Sequence, residues 1–255
     1  MCAAVSLLEG LAIAAAGFGA GVVNGAAGGG SLVSFPVLLA IGHPAIVANV
    51  TSTVGIWPGY VGGVAGYRSA VAAQRYRVVR LLPAALLGSA VGVVVLLSTP
   101  EDAFRAAAPW LILGASSLFA VQPLVARWVG DSDHRLLGPG SPLLPVGVFL
   151  ASIYGSYFGA GLGVILLALL GLFLGETMDR LNGLRGVIAM AVNCLALVLF
   201  ALTAPVAWGA AGLMAITSLP GGFTGARIAQ WLGPTWFRVV VVVFGVVAAA
   251  RLLMD

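Results

Sequence analysis

Two glycine-rich stretches carry the residues best placed for chemistry in this 255-residue chain. The first is Asn24-Gly25-Ala26-Ala27-Gly28-Gly29-Gly30-Ser31, followed by Leu-Val-Ser-Phe-Pro36. The second is Tyr157-Phe158-Gly159-Ala160-Gly161-Leu162-Gly163. Neither matches the dinucleotide fingerprint, because the G-x-x-G-G-G spacing differs and no strand precedes it. Consecutive glycines break a helix, each being about 1 kcal/mol worse than alanine in its interior. A short apolar run follows each break, at 31–41 and 164–174. A run of that length reaches only halfway along the roughly 20 residues that cross a hydrocarbon core. A helix starting near Ser31 or Val164 presents unpaired N–H groups and the positive end of its dipole. The chemistry expected there is anion binding without a charged side chain, with glycine admitting the ligand close to the backbone. Gly28, Gly29, Gly30, Ser31, Gly159, Gly161 and Gly163 are the candidate contacts. The plainer alternative is tight helix crossing, the usual role of G-x-x-x-G pairs such as Gly17/Gly21, Gly59/Gly63, Gly88/Gly92 and Gly221/Gly225.

Polar side chains inside apolar runs form the second group. Asn24, Asn49, Thr51 and Ser52 lie in the first half of the chain, Tyr157, Asn182, Arg185 and Asn193 in the second. Polar groups in hydrocarbon face a cavity or another helix. Arg185, set among Leu184, Gly186, Val187 and Ile188, suits a carboxylate, sulfite or sulfonate gripped by two parallel bonds. Its alternatives are snorkelling to the surface, or pairing with Glu176 or Asp179. The asparagines equally suit helix-to-helix bonding, and Trp57 and Tyr157 suit packing. Thr217-Ser218 is set aside as support for a kinked backbone at Pro220.

The elements that must position these groups are membrane helices. Hydrophobic residues make up 61% of the chain and charged residues 8%, with a mean hydropathy of +1.11. A soluble domain is roughly a quarter charged, and so few charges cannot cover a soluble surface. Apolar runs separated by Gly, Pro and Arg predict helices near 5–23, 46–66, 78–98, 107–126, 143–156, 179–203, 206–231 and 235–254. All twelve basic residues are Arg. The absence of Lys excludes a P-loop ATPase and Lys Schiff-base chemistry. The net charge of +4 fits cytoplasmic loops rather than nucleic acid. Cys2 and Cys194, and His43 and His134, suit neither a disulfide nor a metal cluster. The apolar N-terminus lacks the basic region of a cleaved signal peptide. No catalytic residue, cofactor or metal is expected.

The chain also repeats itself. A shift of 133 residues pairs Gly28 with Gly161, Gly30 with Gly163, Gly42 with Gly175, Asn49 with Asn182, Gly88 with Gly221 and Gly92 with Gly225. It also pairs Phe104-Arg105 with Phe237-Arg238. The expected organisation is a first transmembrane repeat at 1–126, a linker at 127–142 and a second repeat at 143–255, each of about four helices with a broken or re-entrant segment. Duplication of this kind is typical of secondary transporters. If each glycine-rich segment reverses the chain, the halves are inverted. Ten Arg (68, 75, 77, 80, 127, 135, 180, 185, 227 and 238) then collect on one face and two, Arg105 and Arg251, on the other. If each is one broken helix, the halves are parallel and the split is about seven to five. The inverted arrangement, with both termini outside, satisfies the positive-inside rule better.

The order Gly25-Ala-Ala-Gly28-Gly29-Gly30-(x)5-Pro36-(x)5-Gly42, then Ala48-Asn49-Val-Thr51-Ser52, resembles the first signature of the sulfite exporter TauE/SafE family. Gly159-Ala-Gly161-Leu-Gly163, Gly175, Asn182, Asn193, Trp208 and Gly221-Gly222-(x)2-Gly225-Ala-Arg227 are similar to its second signature. Leu162 departs from it by interrupting the second glycine run. The resemblance spans nearly the whole chain. It implies a multi-pass permease of the inner membrane that exports, or in some members takes up, small sulfur-containing anions such as sulfite or sulfoacetate.

The function expected is a secondary transporter whose anion binds near the membrane midplane between the two breaks. Its partners are the small anion and the lipid bilayer; assembly as a homo-oligomer is compatible with the sequence. Outward movement of one negative charge gains about 2.3 kcal/mol per 100 mV in a cell negative inside, so a singly charged anion can leave without a coupled ion, and coupling to protons or sodium stays open. An intramembrane protease is disfavoured because both histidines fall in loops. An anion channel and a bundle serving as an assembly partner are the competing readings.

Overall fold

A computed structural model of the chain describes residues 6–130, 141–232 and 235–254, without the side chains of 128–130, 230–232 and 235–238. Cys2, His134, Arg135, most of the 127–142 linker and the side chains of Phe237 and Arg238 lie outside the described residues. The described residues form eleven helices: α1 (Leu7–Ala26), α2 (Ser31–Ala40), α3 (Ala45–Gly66), α4 (Arg68–Ala72), α5 (Arg75–Ser98), α6 (Glu101–Gly130), α7 (Leu143–Tyr157), α8 (Leu162–Leu174), α9 (Met178–Thr203), α10 (Trp208–Leu232) and α11 (Thr235–Met254).

Local chemistry explains most boundaries. Ser6 and Glu9 form a reciprocal capping box at the start of α1, with Ser6 N–H donating to Glu9 Oε2 at 2.9 Å and Glu9 N–H donating to Ser6 Oγ at 3.2 Å. Helix α6 begins six residues earlier than the apolar pattern at 107–126 suggests. Glu101 and Asp102 occupy its first turn, where carboxylates favour the helix dipole. Proline inside α2, α3, α5, α6 and α10 does not end these helices, as neighbouring helices allow. The short α4 is absent from the sequence expectations.

Among the described residues, four helices are long and apolar enough to cross a membrane: 7–26, 75–98, 101–127 and 178–203. Outward-facing Leu87, Val94, Leu150, Val198, Ile216 and Val247 are exposed, as expected for lipid-facing flanks. Helix α1 crosses α10, and α5 crosses α7. Gly17/Gly21 and Gly221/Gly225 lie at the first of these approaches, Gly88/Gly92 at the second, and Gly59/Gly63 where α3 meets α1 and α10. A Cβ on Gly17 would meet the backbone of Met214, one on Gly59 would meet Gly21 Cα at 3.1 Å, and one on Gly92 would meet the backbone of Ile153. Only glycine lets the backbones come this close.

The core over the second break is aromatic. Phe35 of α2 meets Phe158 edge to face at 5.4 Å, and Phe104 of α6 meets Tyr157 at 5.6 Å. Tyr157 is therefore a packing residue whose carbonyl accepts from Asn49 Nδ2 at 2.9 Å. The chain after α2 is anchored by Glu101, whose carboxylate accepts from the N–H groups of Ala45 and Ile46 at the start of α3. Glu101→Ala removes this cap and should lower stability by about 1 kcal/mol, read from thermal unfolding of the purified protein. Equal midpoints for both proteins would show that the cap contributes nothing.

Candidate functional site

Helix α1 stops at Ala26 because the chain turns through Gly28 at φ +75°, a region open to glycine but strained for other residues. Gly161, 133 residues on, takes φ +82° before α8. Gly42 and Gly175, also 133 apart, take φ +95° and +51° after α2 and α8.

The first break folds back on α1. Asn24 Oδ1 accepts from Gly29 N–H at 3.1 Å and Gly30 N–H at 2.7 Å. The amides of Leu32, Val33 and Ser34 donate to Gly29 and Gly30 carbonyls. At the second break, Gly163 N–H donates to Gly28 O at 3.1 Å, joining the two breaks directly. These helix starts were expected to offer unpaired N–H groups to an anion. In the structure most of these donors already have protein acceptors, as buried backbone requires: Leu32, Val33 and Ser34 on Gly29 and Gly30 carbonyls, Leu162 on Gly159 O, Gly163 on Gly28 O, and Val164 and Ile165 on Gly161 O.

The charge at the site comes instead from Arg185. Its side chain is 4% exposed. Its Nη1 donates to Ala27 O and its Nη2 to Ala26 O at 3.0 Å. The guanidinium thus caps the C-terminal carbonyls of α1, where a cation is favoured by the dipole. Among the described residues no carboxylate lies within 4.0 Å of it. The tyrosines Tyr60 and Tyr67 stand nearby. Asn24 is 7% exposed, and its Nδ2 is buried without a partner. A buried donor left in this way carries a free-energy cost unless a ligand or water meets it.

These groups line one small cavity: Asn24, Gly28, Tyr60, Tyr67, Gly163, Asn182 and Arg185 are among its walls. Its volume of about 20 Å³ holds roughly one water. Asn24, Gly28, Gly163, Asn182 and Arg185 are the sequence candidates gathered there. The other candidates lie apart from it. Gly29 packs against Phe119 and Gly161, and Ser31 lies against Gly159. Gly30 packs against Ala20 and Asn24. Ser52 Oγ bonds Ser34 Oγ at 2.6 Å, and Thr51 Oγ1 accepts from Ala207 N–H at 3.0 Å. Asn49 bridges to the Tyr157 carbonyl, with its Oδ1 buried and unpartnered. Asn193 Nδ2 donates to Ala189 O at 2.9 Å within its own helix, and the Asn193 side chain also hydrogen-bonds Tyr60, a wall of the cavity. Tyr60, inside α3, and Tyr67, at its C-terminal cap, were not among the candidates; nothing in their local sequence marks them as facing this cavity.

Neither acid expected as an alternative partner for Arg185 serves it. Glu176 accepts from Arg77 Nη1 at 2.7 Å and Arg180 Nη1 at 2.9 Å. Burial pushes the Glu176 carboxyl up, but the hydrogen bonds and charges of the two arginines outweigh this and hold it below its ordinary value. A carboxylate whose folded pKa is depressed stabilises the fold above its unfolded pKa and loses that contribution as pH falls through the folded value. Glu176→Gln should therefore lower the unfolding midpoint at pH 7, with the difference from wild type vanishing under strongly acidic conditions. A pH-independent difference would show that ionisation of Glu176 is not involved.

Comparison with known proteins identifies the family. The chain matches the Sulfite exporter TauE/SafE family over residues 13–252. It is similar to a probable membrane transporter protein of Haemophilus influenzae, 27% identical over 245 residues, covering 94% of this chain and 92% of the relative. It is also similar to the probable membrane transporter protein ORF9 of a Sinorhizobium species, 26% identical, covering 94% and 90%. The probable membrane transporter protein YfcA of Escherichia coli K12 is 23% identical, covering 92% and 86%. Together with its apolar helices, these matches make the chain a multi-pass membrane transporter, and it belongs to the sulfite exporter TauE/SafE family.

Proposed function

We propose that the protein is a secondary carrier that exports a small sulfur-containing anion, sulfite or an organosulfonate such as sulfoacetate, across the inner membrane. The observation carrying this reading is Arg185: a buried guanidinium with no acidic partner among the described residues, beside an unpartnered Asn24 amide. An oxyanion entering the cavity takes the guanidinium from the Ala26 and Ala27 carbonyls and accepts from Asn24 Nδ2. Asn182, Tyr60 and Tyr67 are placed to complete its shell. The remaining glycines and polar candidates act as the frame that holds the breaks together.

The carrier reading includes two inverted halves, 1–126 and 143–255, joined by the 127–142 linker. Two observations support it. Four of the five positive-φ glycines among the described residues, Gly28, Gly42, Gly161 and Gly175, pair at the same 133-residue shift as the sequence repeat. The helix pairings also exchange between halves, with α1 on α10 and α7 on α5. The cavity has room for about one water, which favours a carrier in a closed state over an open channel.

Flux in proteoliposomes tests the proposal. Sulfite, sulfoacetate, sulfate and acetate are loaded separately under an imposed potential. Saturable, potential-sensitive flux of a sulfur anion is the expected result. Unsaturating conductance would replace the carrier with a channel. No flux of any anion in either direction from folded protein would overturn the small-anion reading in favour of an assembly partner.

A further inference from the structure

We infer that the Arg185 site selects its ligand by charge, taking a singly charged sulfur oxyanion such as hydrogen sulfite or a monosulfonate and rejecting dianions. This rests on Arg185 as the substrate contact. It does not rest on transport, because equilibrium binding tests it alone.

The charge balance of the site is simple. Among the described residues Arg185 is the only charged side chain that is buried. Helix α8 holds no ionisable side chain. Helix α1 holds only Glu9, in its first turn, whereas the guanidinium binds carbonyls at its last. Helix α3 brings Tyr60, with Tyr67 at its end, and these are the ionisable groups that act on the guanidinium. Neither tyrosine can add positive charge. On the neighbouring α4, α5 and α10, Arg68, Arg75, Arg80 and Arg227 are exposed, and Arg77 is paired with Glu176. The carbonyl end of a helix also carries roughly half a negative charge. The site therefore offers an anion at most one net positive charge.

The 133-residue shift places no second cation opposite it. The shift that pairs Asn182 with Asn49 pairs Arg185 with Ser52. Arg185 binds the carbonyls that end α1, whereas Asn49 Nδ2 donates to the Tyr157 carbonyl at the end of α7. Ser52 Oγ bonds Ser34 Oγ. One break thus meets a charge and the other meets neutral groups. A dianion here would bury a negative charge without a partner, which is strongly unfavourable. A monoanion leaves the site neutral, and its oxygens can use the guanidinium fork and the buried, unpartnered Asn24 Nδ2. Hydrogen sulfite and monosulfonates meet this condition. The sulfite dianion does not, nor does sulfoacetate, which carries a carboxylate beside its sulfonate.

Titration calorimetry on the purified protein tests the inference with methanesulfonate, sulfamate and sulfate. Each presents three oxygens on sulfur, and the fourth substituent is a methyl, an amine or a charged oxygen. Methanesulfonate and sulfamate should bind with similar affinity, and sulfate at least about 100-fold more weakly. Sulfite affinity should fall as pH rises through its second ionisation, while methanesulfonate affinity stays constant over the same range. Arg185→Lys keeps one charge and should keep the order of preference at lower affinity. Sulfate binding as tightly as methanesulfonate, or sulfite binding that strengthens as the dianion forms, would overturn the inference. Sulfamate binding as weakly as sulfate would assign the selection to the apolar methyl and overturn it too. No binding of any anion would overturn both this inference and Arg185 as the substrate contact. The expected order of binding without flux in proteoliposomes would overturn the carrier reading alone.

Discussion

Arg185→Gln is expected to reduce anion flux by about 100-fold or more, because truncating one member of a buried, hydrogen-bonded charge pair costs 2–5 kcal/mol. Flux into proteoliposomes, at matched amounts of folded protein, measures the loss. The substitution also touches the fold. Arg185 is the donor to both the Ala26 and the Ala27 carbonyl, and Gln supplies one amide in place of a two-pronged guanidinium. A stability loss of about 1–3 kcal/mol should accompany the transport defect. Arg185→Lys separates the two effects. It keeps the charge but not the planar fork, so it should retain affinity for the anion better than Gln while still loosening the end of α1. A folded Arg185→Gln protein with wild-type flux would remove Arg185 from the substrate site and reduce it to a helix cap.

Gly163→Ala is the second large effect. A Cβ at this position would lie 2.5 Å from Ala27 O, 2.6 Å from Gly28 Cα and 2.7 Å from Gly28 O. All three atoms are backbone, so no rotamer change relieves the clash. The two breaks must separate, which also breaks the Gly163 N–H bond to Gly28 O. Overpacking of this kind costs about 3 kcal/mol, and the cavity loses the wall that Gly28 and Gly163 share. The expected result is a large drop in unfolding midpoint together with loss of flux at temperatures where the protein remains folded. Gly114→Ala in α6 is the control, since its Cβ would meet nothing within 4 Å. That change should be neutral or stabilising by up to about 1 kcal/mol. Similar midpoints for the two variants would show that the breaks do not pack as described.

The contrast between these glycines marks the limit of a sequence reading. Gly114 and Gly163 are both glycines in apolar runs, and nothing local separates them. Only the approach of the first break to α8 makes one replaceable and the other not. The same holds for the polar residues. Thr51 and Ser52 are neighbours in sequence, yet one accepts from Ala207 and the other bonds Ser34. Asn24 was legible as a polar residue at a break, but its role in holding the two amides ahead of α2 was not. That role depends on a turn through Gly28 that brings Oδ1 onto two amides five and six residues away. The acceptors of the amides at the breaks were not legible either, because Gly28 O reaches Gly163 N–H only once the two breaks have packed together.

What the sequence alone determined are the helices and the places where they stop. Apolar runs, a capping box, glycines that break helices and the scarcity of charge act over a few residues, so local pattern suffices. Helix α6, longer at its start, and the unforeseen α4 are the main exceptions, both at polar segments where the apolar period is weak. What only the tertiary structure decided is the partner of each polar group. Arg185 meets carbonyls 158 and 159 residues away, and Gln74 meets the Arg180 carbonyl across 106. Glu176 goes to Arg77 and Arg180 and leaves Arg185 without an acid among the described residues. Spacing along the chain carries no information about such pairs, because they form only once helices distant in sequence have packed.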